Sequence, residues 1–210
     1  MIKKTIVKII FFLLISTFNS SALIQVDITR GNLNPLPIAV SPLFSDNDSL
    51  EKLSKELKGI DVGNEISKII EINLKRTGLF NPLTKDAFIQ KADIAHLKPR
   101  FEDWALIKAQ ALITGRVIFE DEKLRVEFRL WDVLAGKEMM ALAFTTVPKN
   151  WRRVGHIITD KVYERLTGEK GYFDTRIIYV AEEGPKTRRI KKLAIMDQDG
   201  ANNKFLTLGN

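Results

Sequence analysis

ALITGRVIFEDEKLRVEFRLWDVLAGKEMMALAFTTV (Ala111–Val147) is the stretch whose reading decides the fold. Val117 to Phe119 end a first strand, and Asp121-Glu122 turn the chain into a second. There Leu124, Val126, Phe128 and Leu130 alternate with Arg125, Glu127 and Arg129, the period of two that sends one set of side chains to each face of a sheet. Ala135-Gly136 turn again into KEMMALAFTTV. Three strands joined this tightly form an antiparallel meander with one buried and one wet face. The helix predicted over Asn150 to Thr167 supplies the cover through Trp151, Val154, Ile158, Val162 and Leu166, and Gly168 stops it.

Working back from the meander, Trp104, Leu106, Ile107 and Ala111 suggest a helix leading into it. LFNPL (Leu79–Leu83) reads as a short strand. Ile66, Ile69, Ile70 and Leu74 form the stripe of a strong helix ended by Gly78. Asp46 to Leu57 has helical spacing at Leu50, Leu53 and Leu57, with Asp48-x-x-Glu51 as its capping box. Ile38-Ala39-Val40 reads as a buried strand behind Pro35 and Pro37. Strands and helices interleave without βαβ spacing, which predicts a compact mixed α/β domain with helices packed on a mixed sheet. After Gly168 the pattern becomes antiparallel ribbon, with strands at Arg176–Val180 and Lys192–Met196, an Asp199-Gly200 turn and an apolar run at Phe205-Leu206. A domain boundary is expected near Gly168 to Tyr172.

The first residues have the build of a secretory signal: Lys3 and Lys4, an apolar run from Ile6 to Ile15 broken by Lys8, and Ser20-x-Ala22 before the cut. Cleavage is expected between Ala22 and Leu23. The apolar run is shorter than the roughly 20 residues of a spanning helix, so no stable membrane insertion is expected after cleavage. No cysteine stands near the cut to carry a lipid, and none exists for disulfides. Removing the signal takes three lysines from a net charge of +7 and leaves +4, weak footing for nucleic-acid binding. Arg152-Arg153 and Lys186 to Lys192 read as solvated faces or loops. A soluble periplasmic protein is the expectation. The new N-terminus alternates Ile24, Val26 and Ile28 against Gln25, Asp27 and Thr29 before Gly31-Asn32. It is either an ordinary edge strand or a terminal segment that adds to another protein's sheet.

A search for chemistry finds little. His156 and Asp160 sit i, i+4 on a helix, a solvated pair with no third ligand near in sequence. There is no nucleophile elbow, no thiol and no phosphate-cradling glycine loop; Gly115 and Gly136 read as single turn or bulge residues. DQDGANN resembles a calcium loop, but position six from Asp197 is Asn202 and position twelve is Leu208, so the glycine and glutamate of an EF-hand are misplaced. An Asp-Gly turn explains the same residues. The reading is no enzyme, no cofactor and no metal.

A family resemblance rests on several stretches in order. WRRVGHIITDKVYERLTGEKGYFDTRIIYVAE running into KKLAIMDQDGANNKFLT, together with PIAVSPLF, LKRTGLFNPL and ALITGRV, resembles the TolB family, the periplasmic component of the Tol-Pal system. The resemblance implies an N-terminal α/β domain followed by a six-bladed β-propeller, of which this chain would hold only an incomplete first blade. Expected bounds are 1–22 for the signal, 23–34 for a partner-binding strand, 35–168 for the α/β domain, 169–175 for a linker and 176–210 for the start of the blade. It implies a non-catalytic adaptor between the inner-membrane TolQ-TolR-TolA complex and the outer-membrane lipoprotein Pal, supporting cell division and outer-membrane integrity. The binding epitope for the TolA C-terminal domain would be Leu23, Ile24, Gln25, Val26, Asp27, Ile28, Thr29, Arg30, Gly31, Asn32 and Leu33, while Pal would dock on the propeller. A free-standing periplasmic regulatory domain acting on a cell-wall enzyme or envelope component is the alternative.

Overall fold

A computed structural model describes Ile24 and residues 34–209. Strand β1 (Leu36–Val40) lies between β3 (Phe80–Pro82) and β4 (Ala111–Glu120), parallel to both. β4 continues into β5 (Lys123–Asp132) and β6 (Lys137–Thr146) as the expected antiparallel meander. The short β2 (Phe44–Ser45) also pairs with β4, further along. The sheet therefore runs β3-β1-β4-β5-β6, half parallel and half antiparallel. The two-residue turn works as read: Asp121 and Glu122 both take positive φ, 49° and 57°, the backbone a tight hairpin requires.

Between β1 and β2 the chain breaks at Ser41-Pro42-Leu43, where proline cannot donate to a ladder. Helix α2 (Val62–Arg76) repairs the break: Ser67 Oγ accepts from Leu43 N at 3.1 Å and has both Ser41 O (3.1 Å) and Gly63 O (2.9 Å) in reach of its one proton. Helix α1 (Asn47–Glu56) precedes it. Its cap is Asp46, whose carboxylate takes the Ser49 amide at 2.7 Å, and not the expected box at Asp48. Asp48 lies within the first turn and pairs with Lys52. Beyond β3 come α3 (Ala92–Ala95) and α4 (Phe101–Leu106). The helix expected to reach Ala111 stops at Leu106, since Ala111 already pairs with Asp132 in the sheet. Register in β4 overrides the apolar spacing there.

Helices α2 and α5 (Trp151–Thr167) pack together over one face of the sheet. Their stripes, Ile66, Ile70 and Leu74 with Val154, Ile158 and Leu166, meet Ile38, Val40, Ile113, Leu124, Val126 and Phe128 in one core. The opposite face is wet along β6 but covered over β1 and β4, where Trp104 and Ala95 close on Ala39 and Leu112. Buried Gln90 organises that cover, its Oε1 accepting from Trp104 Nε1 at 3.0 Å and Arg100 N at 2.9 Å. Gly115 is neither turn nor bulge. It sits inside β4, where an added Cβ would lie 2.2 Å from Glu127 O across the ladder.

Gly168 caps α5 in the left-handed region, φ 79°. The chain then returns along the helix. Asp160 accepts from the amides of Phe173 and Asp174 at 2.6 and 3.0 Å, and Phe173 is buried in the main core. Strands β7 (Arg176–Glu183), β8 (Ile190–Asp197) and β9 (Lys204–Phe205) form a separate antiparallel sheet. Ile178, Val180 and Phe205 are exposed on it. The expected Asp-Gly turn is present, with Gly200 at φ 87°.

Candidate functional site at the domain–ribbon junction

The turn after β8 reaches back onto α5. Arg152 donates to Asp199 Oδ2 at 2.5 Å, Arg153 holds Asp174, and Gln198 inserts between α2 and α5. Arg152 is thus part of a junction, not the solvated residue its neighbours in sequence suggest; its position on the inward side of the first helical turn decides this. A cavity of about 630 Å³ opens at the junction, bounded by α5's first turn, the 173–176 segment and strands β8 and β9.

His156 forms the inner end of this site. It is 2% exposed, far from the solvated pair with Asp160 expected from spacing. Asp160 instead turns toward the amides of the returning chain. The tautomer of His156 follows from a relay that begins at Arg76. A guanidinium only donates, so Gln198 must present Oε1 to Arg76 and Nε2 to Asn73 Oδ1, 2.9 Å away. Asn73 then points Nδ2 at His156 Nδ1 (3.0 Å) and at Thr159 Oγ1 (3.3 Å). Nδ1 is left as an acceptor and the ring proton belongs on Nε2, an assignment made from the network. Burial holds the imidazole below its ordinary 6.5, with Arg152 adding to that push while Asp199, Asp197 and Asp174 oppose it.

Two carboxylates that are remote in sequence come close to this ring. His156, Asp197 and Asp199 each bring one atom to within 4.8 Å of the others. Folding thus provides the neighbours that the linear spacing around Asp160 lacked. The groups are set around one ion pair, Arg152 with Asp199 Oδ2, and the Nε2 proton of the neutral ring faces that same oxygen from 3.5 Å without a hydrogen bond. Asp197 Oδ2 takes Asn202 Nδ2 and Asp199 Oδ1 takes the Ala201 amide. A cation there would have to displace both the proton and the guanidinium.

Of the expected partner-binding residues Leu23 to Leu33, only Ile24 is among the described residues; the others, and Ala22 at the expected cut, lie outside them. Ile24 is half-buried and packs against the main core. Among the described residues no helix is long and apolar enough to cross a membrane.

Fold and junction together define a class of protein: a mixed α/β domain whose last helix carries an antiparallel ribbon on a polar latch. Residues 24–139 match the family model described as the TolB amino-terminal domain, and the chain belongs to that family. It is 80% identical over 189 residues to the Tol-Pal system protein TolB of Pelagibacter ubique, covering 90% of this chain and 42% of the relative. The crystal structure of TolB from Acinetobacter baumannii superposes with a TM-score of 0.64 at 25% identity, over 83% of this chain and 39% of that one. The chain therefore spans about two fifths of the length of these relatives.

Proposed function

We propose that the chain serves the Tol-Pal envelope system in the periplasm as a non-catalytic adaptor, presenting its N-terminal segment to the C-terminal domain of TolA. The observation that carries this reading is the 80% identity to a Tol-Pal system protein TolB over nearly the whole chain. In this reading residues 1–22 are a secretory signal that is cleaved off, and Leu23 to Leu33 add as a strand to the TolA sheet. Main-chain hydrogen bonds would give affinity and the alternating Ile24, Val26 and Ile28 would give specificity. Residues 35–168 hold that segment, and 176–210 open the first blade of a propeller on which Pal docks. Ile24 packs half-buried against the core, so on this reading the segment leaves the domain when it pairs with TolA.

Calorimetry with the TolA C-terminal domain tests the proposal. The chain beginning at Leu23 binds, and the chain beginning at Asn34 does not. Equal heats from both would reject the epitope.

A further inference from the structure

We propose that the junction cleft is a receptor for a carboxylate-bearing peptide segment, with Arg152 and His156 as its inner donors. Among the described residues, buried side-chain atoms without a hydrogen-bond partner are few, and two of them, Arg152 Nε and His156 Nε2, belong to residues lining this one cavity. Both are N–H donors, given the tautomer that the Arg76–Gln198–Asn73 relay imposes. An acceptor entering the cleft would reach two donors that no group among the described residues takes in a hydrogen bond.

The helix end at the cleft points the same way. α5 begins with no side-chain cap and no acid in its first turn. Arg152 and Arg153 stand there instead, with Lys149 just before them. Positive side chains at the positive end of a helix dipole call for anions beside them. Asp199 and Asp174 answer Arg152 and Arg153. Lys149 and Lys204, also on the cavity wall, have no ion-pair partner among the described residues. The charge balance of the cleft is positive.

Size and lining select a peptide over a small ion. A volume near 630 Å³ falls in the range of ligand pockets, roughly 300–1,000 Å³. Phe173, Ile195 and Met196 contribute apolar wall beside the cations, which suits the methylenes of a glutamate and its neighbours. A divalent cation is disfavoured by the proton on Nε2 and by Arg152 on Asp199. The inference stands on the junction alone and does not depend on the envelope role.

Calorimetric titration of the chain at low ionic strength is the test, using acetylated triglutamate amide, its triglutamine counterpart, inorganic phosphate and zinc chloride. Triglutamate binds one to one and triglutamine does not. Lys149→Gln with Lys204→Gln, both exposed, weakens triglutamate about fivefold and flattens its salt dependence. Arg152→Gln weakens it about tenfold or more. Because Arg152 also ties the ribbon turn, the lysine double variant decides if Arg152→Gln loosens the fold. Equal binding of triglutamine, or native affinity in the double variant, overturns the proposal. So does phosphate binding as tightly as triglutamate, or zinc binding that Asp199→Asn abolishes.

Discussion

At His156 the placement of one proton is dictated from Arg76, through two amides that can each be oriented only one way. Burial keeps the ring neutral in the folded chain, so its value there lies below the 6.5 it has when unfolded. Between those two values the unfolded chain binds the extra proton. The contribution to stability is therefore complete above 6.5 and declines as pH falls from there through the folded value. Urea titrations from pH 7.5 to 5 follow that decline in the native chain, and His156→Gln flattens it. Asn73→Asp replaces the amide donor by a carboxylate beside Nδ1; the ring should then take its proton more readily, seen as an upward-shifted imidazole titration by NMR. A titration unmoved by that change would contradict the relay. None of this was legible in sequence. The spacing to Asp160 was visible, but the residues that act on the ring stand 83 positions before it and 42 after, counting from Asn73 and Gln198.

Among the elements, α5 was read almost to the residue, because its stripe, its Gly168 stop and its length all agree. The helix before β4 is shorter than its apolar spacing suggests, since Ile107 and Ala111 fit a helical stripe and a strand alike, and only pairing with β5 decides between them. The expected connecting stretch 169–175 hides its most consequential feature: Phe173 is buried against Tyr163, ring centroids 5.8 Å apart. Phe173→Ala should cost about 3–5 kcal/mol, as a large buried aromatic does, measured by equilibrium unfolding. Gly171 lies so close to α5 that an added Cβ would sit 2.4 Å from both Asp160 Cα and Oδ1. Gly171→Ala should then cost about 1–3 kcal/mol and weaken the Asp160 bonds to the Phe173 and Asp174 amides. Unchanged stability in that variant would show that the return path along α5 has slack.

On the scale of the whole molecule, two sheets share one helix. The larger is buried on one face and partly covered on the other, whereas Ile178 and Val180 of the ribbon remain exposed. Hydrogen exchange should separate them, with β4 and β5 slowest and β7 fast. The turn from Asp197 to Ala201 should be slower than the rest of the ribbon, because it is tied to α5. Uniform protection across both sheets would contradict this division. The sequence carried the change of character at Gly168, since helical stripes stop there and short alternating runs begin. It could not carry the latch, whose partners Arg152 and Asp199 become neighbours only when the chain doubles back. That doubling back has a mechanical meaning. A pull on the ribbon would be shared between the turn's ties to Arg152 and Asn73 and, further back along the chain, the two hydrogen bonds to Asp160 and the seated ring of Phe173. Tension on the ribbon would therefore be passed to the middle of α5 and to the core of the domain, not to a free hinge.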